Sequence, residues 1–312
     1  MGGSTIIFLM GPTAVGKTDL AISLANEFSL GLISVDASQV YRGLNIGTAK
    51  PAPAVLKKYP HALVDIRDPE DVFSAGAFCK ESVREVHRII AKRQIPTLVG
   101  GTMFYFAALS AGLDRLPGAD AQFRHDIEAE AQQLGWPALY ERLERLDPEA
   151  AQRIHHNDHQ RIQRALEIYD QTRPTLFGDV PEQPSLPCDA RIIRLGLAFS
   201  DRSVLHHRIE QRVDGMLKSG FLAEVGDLVA KGVDPQSPAL RSVGYRQVYQ
   251  YLNKEFDYFK MRERIIFATR QLAKRQLTWM RNTPGTVWFD AADRDISRTV
   301  GSYLMACLVD QN

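Results

Sequence analysis

Residues 11–18 read Gly11-Pro12-Thr13-Ala14-Val15-Gly16-Lys17-Thr18, the spacing G-x-x-x-x-G-K-[ST]. Each residue type has a task at that spacing. The glycines let successive backbone N–H groups turn toward one anion, and a helix starting at the loop's end adds partial positive charge. Lys17 supplies a full charge, and the Thr18 hydroxyl is the expected Mg²⁺ ligand. The loop reads as a cradle for a di- or triphosphate, without saying what becomes of that group. Two further residues fall where chemistry on a bound phosphate would need them. Leu32-Ile33-Ser34-Val35 ends in Asp36, and Thr97-Leu98-Val99 ends in Gly100-Gly101-Thr102. Ligands of open parallel sheets gather at the carboxyl ends of the strands, so both are expected beside the loop. Asp36 reads as an Mg²⁺ ligand, as a base or acceptor for an incoming nucleophile, or as a helix N-cap. Thr102 reads as an N-cap whose hydroxyl would also face the crevice.

Those residues need a sheet and flanking helices to hold them. Residues 6–10 are an apolar run, read as a buried strand, and 18–28 as the helix after the loop. Residues 32–35 make a second strand and 63–66 a third. Residues 74–93 carry helical spacing through Phe78, Val83, Val86, Ile89 and Ile90, and 97–99 form another strand. Apolar strands alternating with helices predict an α/β phosphate-loop (P-loop) core, a mainly parallel β-sheet flanked by helices. From 121 to 170 strand signals vanish, and the chain is rich in Ala, Glu, Gln, Arg and Leu. A proline-rich loop at 171–190 follows, then a strand at 192–199, helices from 202 onward and a last strand at 287–289. The expected organisation is a core of residues 1–116 and 189–312 with an inserted all-helical domain at 117–188.

With 38 basic and 37 acidic residues among 312, the formal net charge is +1. That excludes a strongly basic nucleic-acid coat and leaves polyanions to local patches. One patch runs from Lys260 to Arg281, where Lys260, Arg262, Arg264, Arg270, Lys274, Arg275 and Arg281 stand against Glu263 alone, with Trp279 among them. Taken alone, such a run reads first as a solvated helix face. Cys79, Cys188 and Cys307 lie far apart in no metal or disulfide pattern, which points to a reducing compartment. The run at 6–10 is too short for a signal peptide or a membrane span. A soluble cytoplasmic protein with no membrane partner is expected. His155, His156 and His159 lack the HExxH pattern and read as a polar helix start, while Ile154, Ile162, Leu166 and Tyr169 read as a core stripe.

Beyond the loop, a series of segments resembles the bacterial tRNA dimethylallyltransferase family. They are Asp-Ala-Ser-Gln-Val-Tyr at 36–41, Asn-Ile-Gly-Thr-Ala-Lys-Pro at 45–51 and Leu-Val-Gly-Gly-Thr-Met-Phe-Tyr at 98–105. Gln-Arg-Ile-Gln-Arg-Ala-Leu-Glu at 160–167, Val-Gly-Tyr-Arg-Gln at 243–247 and Arg-Gln-Leu-Ala-Lys-Arg-Gln-Leu-Thr-Trp at 270–279 follow in order. The family often has Gly-Leu where this chain has Met103-Phe104, and Ser where it has Ala37. Neither departure touches Thr102 or Asp36. The C-terminal zinc finger of many eukaryotic relatives has no counterpart after Arg281.

The resemblance implies transfer of a dimethylallyl group from dimethylallyl diphosphate to the exocyclic amine of the adenosine 3′ to the anticodon in tRNA. Pyrophosphate leaves, and Mg²⁺ is the implied cofactor. Residues 11–18 would hold the diphosphate, aided by Arg212. Asp36 would take the amine proton, and Thr102 would hydrogen-bond near the leaving oxygen. The target base must leave its stack. Implied tRNA contacts are Asp36, Ala37, Ser38, Gln39 and Thr102; Gln160, Arg161, Ile162, Gln163 and Arg164; Arg241, Ser242, Val243, Gly244, Tyr245 and Arg246; Lys274 and Arg275; and Arg124, early in the insertion. A monomer is expected. Three other readings fit the same loop. A small-molecule kinase leaves the Gly-Tyr-Arg-Gln segment and the basic helix without a task. An isopentenyltransferase acting on free adenine nucleotides would not need the insertion. An RNA-binding module with a degenerate nucleotide site would not keep Lys17 and Thr18.

Overall fold

The computed structural model describes residues 4–112, 117–172, 186–187 and 189–309. The chain divides into two compact units, residues 1–112 with 184–312, and residues 113–183. The sequence reading set the second unit at 117–188.

The first unit opens with β1 (Thr5–Met10), α1 (Lys17–Ala25), β2 (Leu30–Val35), α2 (Pro53–Lys58), β3 (His61–Ala62), α3 (Ala75–Ala91), β4 (Ile95–Gly100) and α4 (Met103–Ala111). The second unit holds α5 (Ala121–Leu134), α6 (Trp136–Leu146), α7 (Pro148–Arg153) and α8 (His159–Gln171). The first resumes with β5 (Arg191–Ala198), α9 (Arg202–Lys218), α10 (Phe221–Ala230), α11 (Tyr245–Leu252), α12 (Tyr258–Arg281), β6 (Thr286–Asp290) and α13 (Ile296–Val309). The strands form one sheet in the order β3-β2-β4-β1-β5-β6, every pairing parallel.

The central strands are largely apolar because helices cover both faces. On one face Leu20 and Leu24 of α1 and Val300 and Leu304 of α13 pack with Ile7, Leu9, Leu195 and Leu197. On the other, Phe8 meets Phe106 of α4 with ring centroids 5.0 Å apart, and Phe78 of α3 stacks on Tyr105 at 4.3 Å. Burying one such ring contributes about 2 kcal/mol. From β1 the chain crosses through α1 to β2 on one side, and β5 lies on the other side of β1. That reversal opens a crevice at the strand ends, where the phosphate loop, Asp36 and Thr102 all lie.

Some boundaries differ from expectation. The third strand is His61–Ala62, not 63–66, because Leu63 and Asp65 take φ of 65° and 55°, which ends an extended strand. The first helix ends at Ala25 rather than 28, and α2, opening on Pro53, had no expected counterpart. The proline-rich loop falls largely on 173–185 and 188, which with Cys188 lie outside the described residues. Among the described residues no helix is long and apolar enough to cross a membrane.

The second unit has its own core of Ile127, Leu139, Leu143, Ala151, Ile162 and Leu166. Beside it the fully buried Glu167 accepts Nε and Nη2 of Arg124, both at 3.0 Å, Nη1 of Arg164 at 2.5 Å and the Asp120 N–H at 2.6 Å. Burial pushes the Glu167 carboxyl up, but those hydrogen bonds outweigh it and hold the group below the usual carboxylate range. The residues that the resemblance implied as tRNA contacts in this unit differ in their surroundings. Ile162 is 0% exposed and serves the core, as its place in the apolar stripe required. Arg124 and Arg164 commit their guanidinium groups to Glu167. Gln163 donates to the Arg124 carbonyl at 3.2 Å. Gln160 and Arg161 are exposed. The His159 ring stacks on Trp136 at 4.5 Å and His155 on His156 at 4.3 Å.

Candidate active site

The phosphate loop leaves β1 and turns back on itself. Ala14 takes φ of 65° and Gly16 of 104°, and for a non-glycine that conformation costs about 1 kcal/mol or more. Lys17 folds inward, its Nζ donating to the Gly11 carbonyl at 2.9 Å and the Pro12 carbonyl at 2.8 Å. Burial pulls its pKa down to about 7; the Arg212 charge lowers it further and the Asp36 charge opposes both. Helix α9 carries two arginines one turn apart. Arg208 Nε donates to the Ala14 carbonyl at 2.9 Å, and Arg212 Nη2 to the Thr48 carbonyl at 3.3 Å. Burial lowers the Arg212 pKa and Asp36 raises it. Lys17, Arg212 and Asp36 therefore sit within one another's field.

Asp36 is no helix cap. Its Oδ1 accepts the N–H groups of Ser38 at 2.8 Å and Gln39 at 3.2 Å, making a tight turn with no helix behind it. Its second oxygen has no hydrogen bond among the described residues. Thr102 stands at the N-cap position of α4, yet its hydroxyl does not cap the helix. It accepts the Ala37 N–H at 3.1 Å, while the Thr102 N–H donates to the Val35 carbonyl at 3.2 Å. The ends of β2 and β4 are thus tied together, and the carboxylate is held by backbone rather than by a flexible partner.

Glu224 of α10 anchors the next segment. Its Oε2 accepts the N–H groups of Asn45 at 3.0 Å and Ile46 at 2.7 Å, and its Oε1 accepts that of Gly47 at 3.1 Å and the Tyr245 hydroxyl at 2.6 Å. A Cβ on Gly47 would meet the Phe221 ring at 2.3 Å and the Tyr245 ring at 2.5 Å, so only glycine fits. This clamp delivers the Thr48 carbonyl to Arg212 and to Gln39 Nε2 at 3.3 Å. Tyr245 is 0% exposed and Gly244 is buried. Their side-chain positions support the Glu224 clamp from behind. Arg241 and Arg246 are exposed, and Ser242 and Val243 half-buried.

Helix α12 reaches the same place. The Thr13 N–H donates to Gln276 Oε1 at 2.9 Å, and Gln276 Nε2 donates to the Gly101 carbonyl at 2.9 Å. A Cβ on Gly101 would lie 2.4 Å from that nitrogen. The basic run divides by position. Arg262 grips both Asp214 oxygens at 2.6 and 2.8 Å, Arg270 pairs with Glu210, and Lys260 with Glu263 at 3.1 Å. Arg264 lies over the Phe256 ring, 4.5 Å from its centroid. Lys274, Arg275 and Arg281 are exposed, with no ion pair among the described residues. Beside them Trp279, 43% exposed, and Phe104, 50% exposed, stand edge to face with centroids 6.1 Å apart.

The structure brings the phosphate loop, Lys17, Asp36, Thr102 and Arg212 together. Arg208, Glu224 and Gln276 were not singled out from sequence. Gln276 had a signal: it interrupts the stripe Ile265, Thr269, Ala273, Met280 on the buried side of α12. For a metal, the Thr18 hydroxyl has no protein partner among the described residues. An oxygen-only donor set completed by phosphate oxygens suits Mg²⁺.

Fold and site together define a phosphate-loop α/β protein with a carboxylate and two cations converging where a diphosphate would sit. The IPP transferase family profile matches residues 39–283. A tRNA dimethylallyltransferase of Coxiella burnetii is 49% identical over 302 residues, 96% of each chain. The crystal structure of the full-length tRNA isopentenylpyrophosphate transferase of Bacillus halodurans superposes with a TM-score of 0.72 at 33% identity, over 99% of this chain and 98% of that one. A eukaryotic dimethylallyltransferase acting on tRNA superposes at 0.77 with 25% identity, over 99% of this chain and 81% of that one. The chain belongs to the IPP transferase family.

Proposed function

We propose that this chain is a tRNA dimethylallyltransferase. It transfers the dimethylallyl group of dimethylallyl diphosphate to the exocyclic amine of the adenosine 3′ to the anticodon. The observation that carries the reading is that Lys17 of the phosphate loop and Arg212 lie beside Asp36 at one end of the sheet, Arg212 sharing the Thr48 carbonyl with Gln39, whose N–H is held by Asp36. Cations there suit a departing diphosphate, and the carboxylate suits an arriving amine. The loop N–H groups, Lys17 and Arg212 hold the diphosphate and stabilise the charge that develops as the carbon–oxygen bond breaks. The adenine nitrogen forms its bond to the same carbon, and its proton passes to the open oxygen of Asp36. Thr102 keeps Ala37, and with it Asp36, at the reacting atoms. Thr18 and the diphosphate oxygens would hold Mg²⁺, which when bound neutralises charge on the leaving group.

A flipped base needs a stacking surface and nearby cations. Phe104, Trp279, Lys274, Arg275 and Arg281 supply both in the first unit, and Arg241 and Arg246 add charge. Gln160 and Arg161 are the residues of the helical unit offered to RNA. A monomer in the cytoplasm fits this reading. The deciding assay offers labelled dimethylallyl diphosphate and Mg²⁺ to unmodified tRNA and, separately, to AMP and ATP. Label in tRNA alone is expected, and digestion locates the base. Label in the free nucleotide, or phosphate release from ATP without label, would overturn the reading.

A further inference from the structure

Gln276 is a polar side chain on the buried face of a 24-residue helix, and both of its hydrogen bonds leave that helix. They end on different loops. One is the phosphate loop, through Thr13; the other is the turn at 100–102, through Gly101. Among the described residues the two loops are otherwise hydrogen-bonded through Gly11 N and the Gly100 carbonyl, at a long 3.3 Å. β1 and β4 are paired up to Met10 and Gly100, and beyond that pairing the Gln276 carboxamide adds a side-chain tie between the diphosphate cradle and the turn that holds Thr102, whose hydroxyl fixes Ala37 beside Asp36. The same helix presents Lys274, Arg275, Trp279 and Arg281 to solvent within five residues on either side. It is also pinned to α9 by Arg262–Asp214 and Arg270–Glu210, and α9 carries Arg208 and Arg212.

We propose that Gln276 is a positioning residue that couples the two substrates. RNA docked on the exposed end of α12 steadies the helix. Gln276 passes that constraint to the phosphate loop and the Thr102 turn together. The inference rests on the function proposed above. It requires RNA and diphosphate each to tighten the other's binding by the same factor, because coupling between sites is reciprocal.

The test uses the full chain with Gln276→Met, which keeps the length and removes both hydrogen bonds, and Gln276→Glu, which accepts from Thr13 but cannot donate to Gly101. Pyrophosphate binding is measured by calorimetry with and without an anticodon stem-loop RNA, then turnover with labelled donor. In the wild type, RNA should tighten pyrophosphate binding about fivefold or more. In both variants that factor should fall below about twofold, and kcat should drop about 10- to 100-fold while KM for tRNA stays within about threefold. A purely structural role would not produce that split. An unchanged coupling factor in a folded variant, a wild type without coupling, or kcat within twofold of wild type would overturn the proposal. Thermal melting establishes that each variant is folded, and Gln276→Glu decides alone if Gln276→Met is not. A wild type that puts no label in tRNA counts against the function instead. The calorimetric arm still decides the coupling, since it needs no turnover.

Discussion

Lys17 should change its protonation when a diphosphate binds. Its shift from 10.5 to about 7 amounts to roughly 5 kcal/mol against the charged form at 1.36 kcal/mol per unit. About half of the unligated molecules then carry a neutral Lys17 at pH 7. A diphosphate in the loop places negative charge beside Nζ and draws the proton back. Binding should take up about 0.1 proton at this site at pH 6, about 0.5 at pH 7 and about 0.9 at pH 8. Titration calorimetry with pyrophosphate, repeated in buffers of different ionisation enthalpy, counts those protons. Lys17→Met, run in parallel, subtracts the protons of pyrophosphate itself. A difference between the two proteins below about 0.2 proton at pH 8, or one that does not shrink toward pH 6, would refute the assignment. The unligated protein gives the complementary sign. The folded pKa lies below that of the unfolded chain, so the unfolded chain holds more protons between about 7 and 10.5. Lys17 therefore costs stability in full below pH 7, and Lys17→Met should be the more stable protein there. That advantage should fade by pH 10.5, as chemical denaturation across the range would record.

Asp36→Asn keeps an acceptor for the Ser38 and Gln39 N–H groups but takes up no proton; turnover should fall about 10²- to 10⁴-fold while filter binding shows unchanged affinity for tRNA. Thr102→Val takes away the acceptor of the exposed Ala37 N–H, a net loss of about 0.5–1.5 kcal/mol; transfer should fall several-fold, and Thr102→Ser should restore most of it. Glu167→Gln removes the buried partner of Arg124 and Arg164 and should destabilise the helical unit by about 3 kcal/mol in denaturant unfolding. Because the folded pKa of Glu167 is depressed, its contribution is present above the unfolded value near 4.3 and lost as pH falls through the folded one. The gap between wild type and Glu167→Gln should therefore close in acid.

The sheet was legible because its signals are local. Residues 6–10 and 97–99 are apolar runs ended by glycine, and the phosphate loop announces both the strand before it and the helix after it. The misplaced third strand shows the limit: Leu63-Val64-Asp65-Ile66 has strand composition, yet β3 is only two residues long and the positive φ at Leu63 and Asp65 follows from packing of the segment as a turn. Lys17, Asp36 and Thr102 stood out by residue type and place, and Arg212 by the resemblance, and the structure brings the four together. Their supports did not stand out, since Glu224 and Gln276 act across 177 and 263 residues of chain. The resemblance marked the segment around Tyr245 but could not show that the Tyr245 side chain is buried and closes the Glu224 clamp. A charge count alone cannot tell Arg262 and Arg270, which pair with α9, from Lys274 and Arg275, which face water.

In the proposed reaction one carboxylate would serve both ends. Before chemistry, the Asp36 charge opposes the desolvation of Lys17 and of Arg212 and keeps both nearer their charged forms. In that reaction Asp36 would become neutral on taking the amine proton, and the two cations would lose their counter-charge. At the same step the departing pyrophosphate gains charge in the loop. The cations then face a single anion, so the attraction given up by Asp36 passes to the leaving group without any side chain having to move. Preorganised charge acts most strongly in a site that need not reorganise, and the backbone hydrogen bonds on Asp36, the carbonyls on Lys17 and the Thr48 carbonyl on Arg212 are what hold all three in place. Asp36→Asn should accordingly lower the Lys17 pKa further. The proton uptake on pyrophosphate binding at pH 7 should rise above the wild-type value even though turnover is lost, separating the electrostatic role of Asp36 from its role as a base.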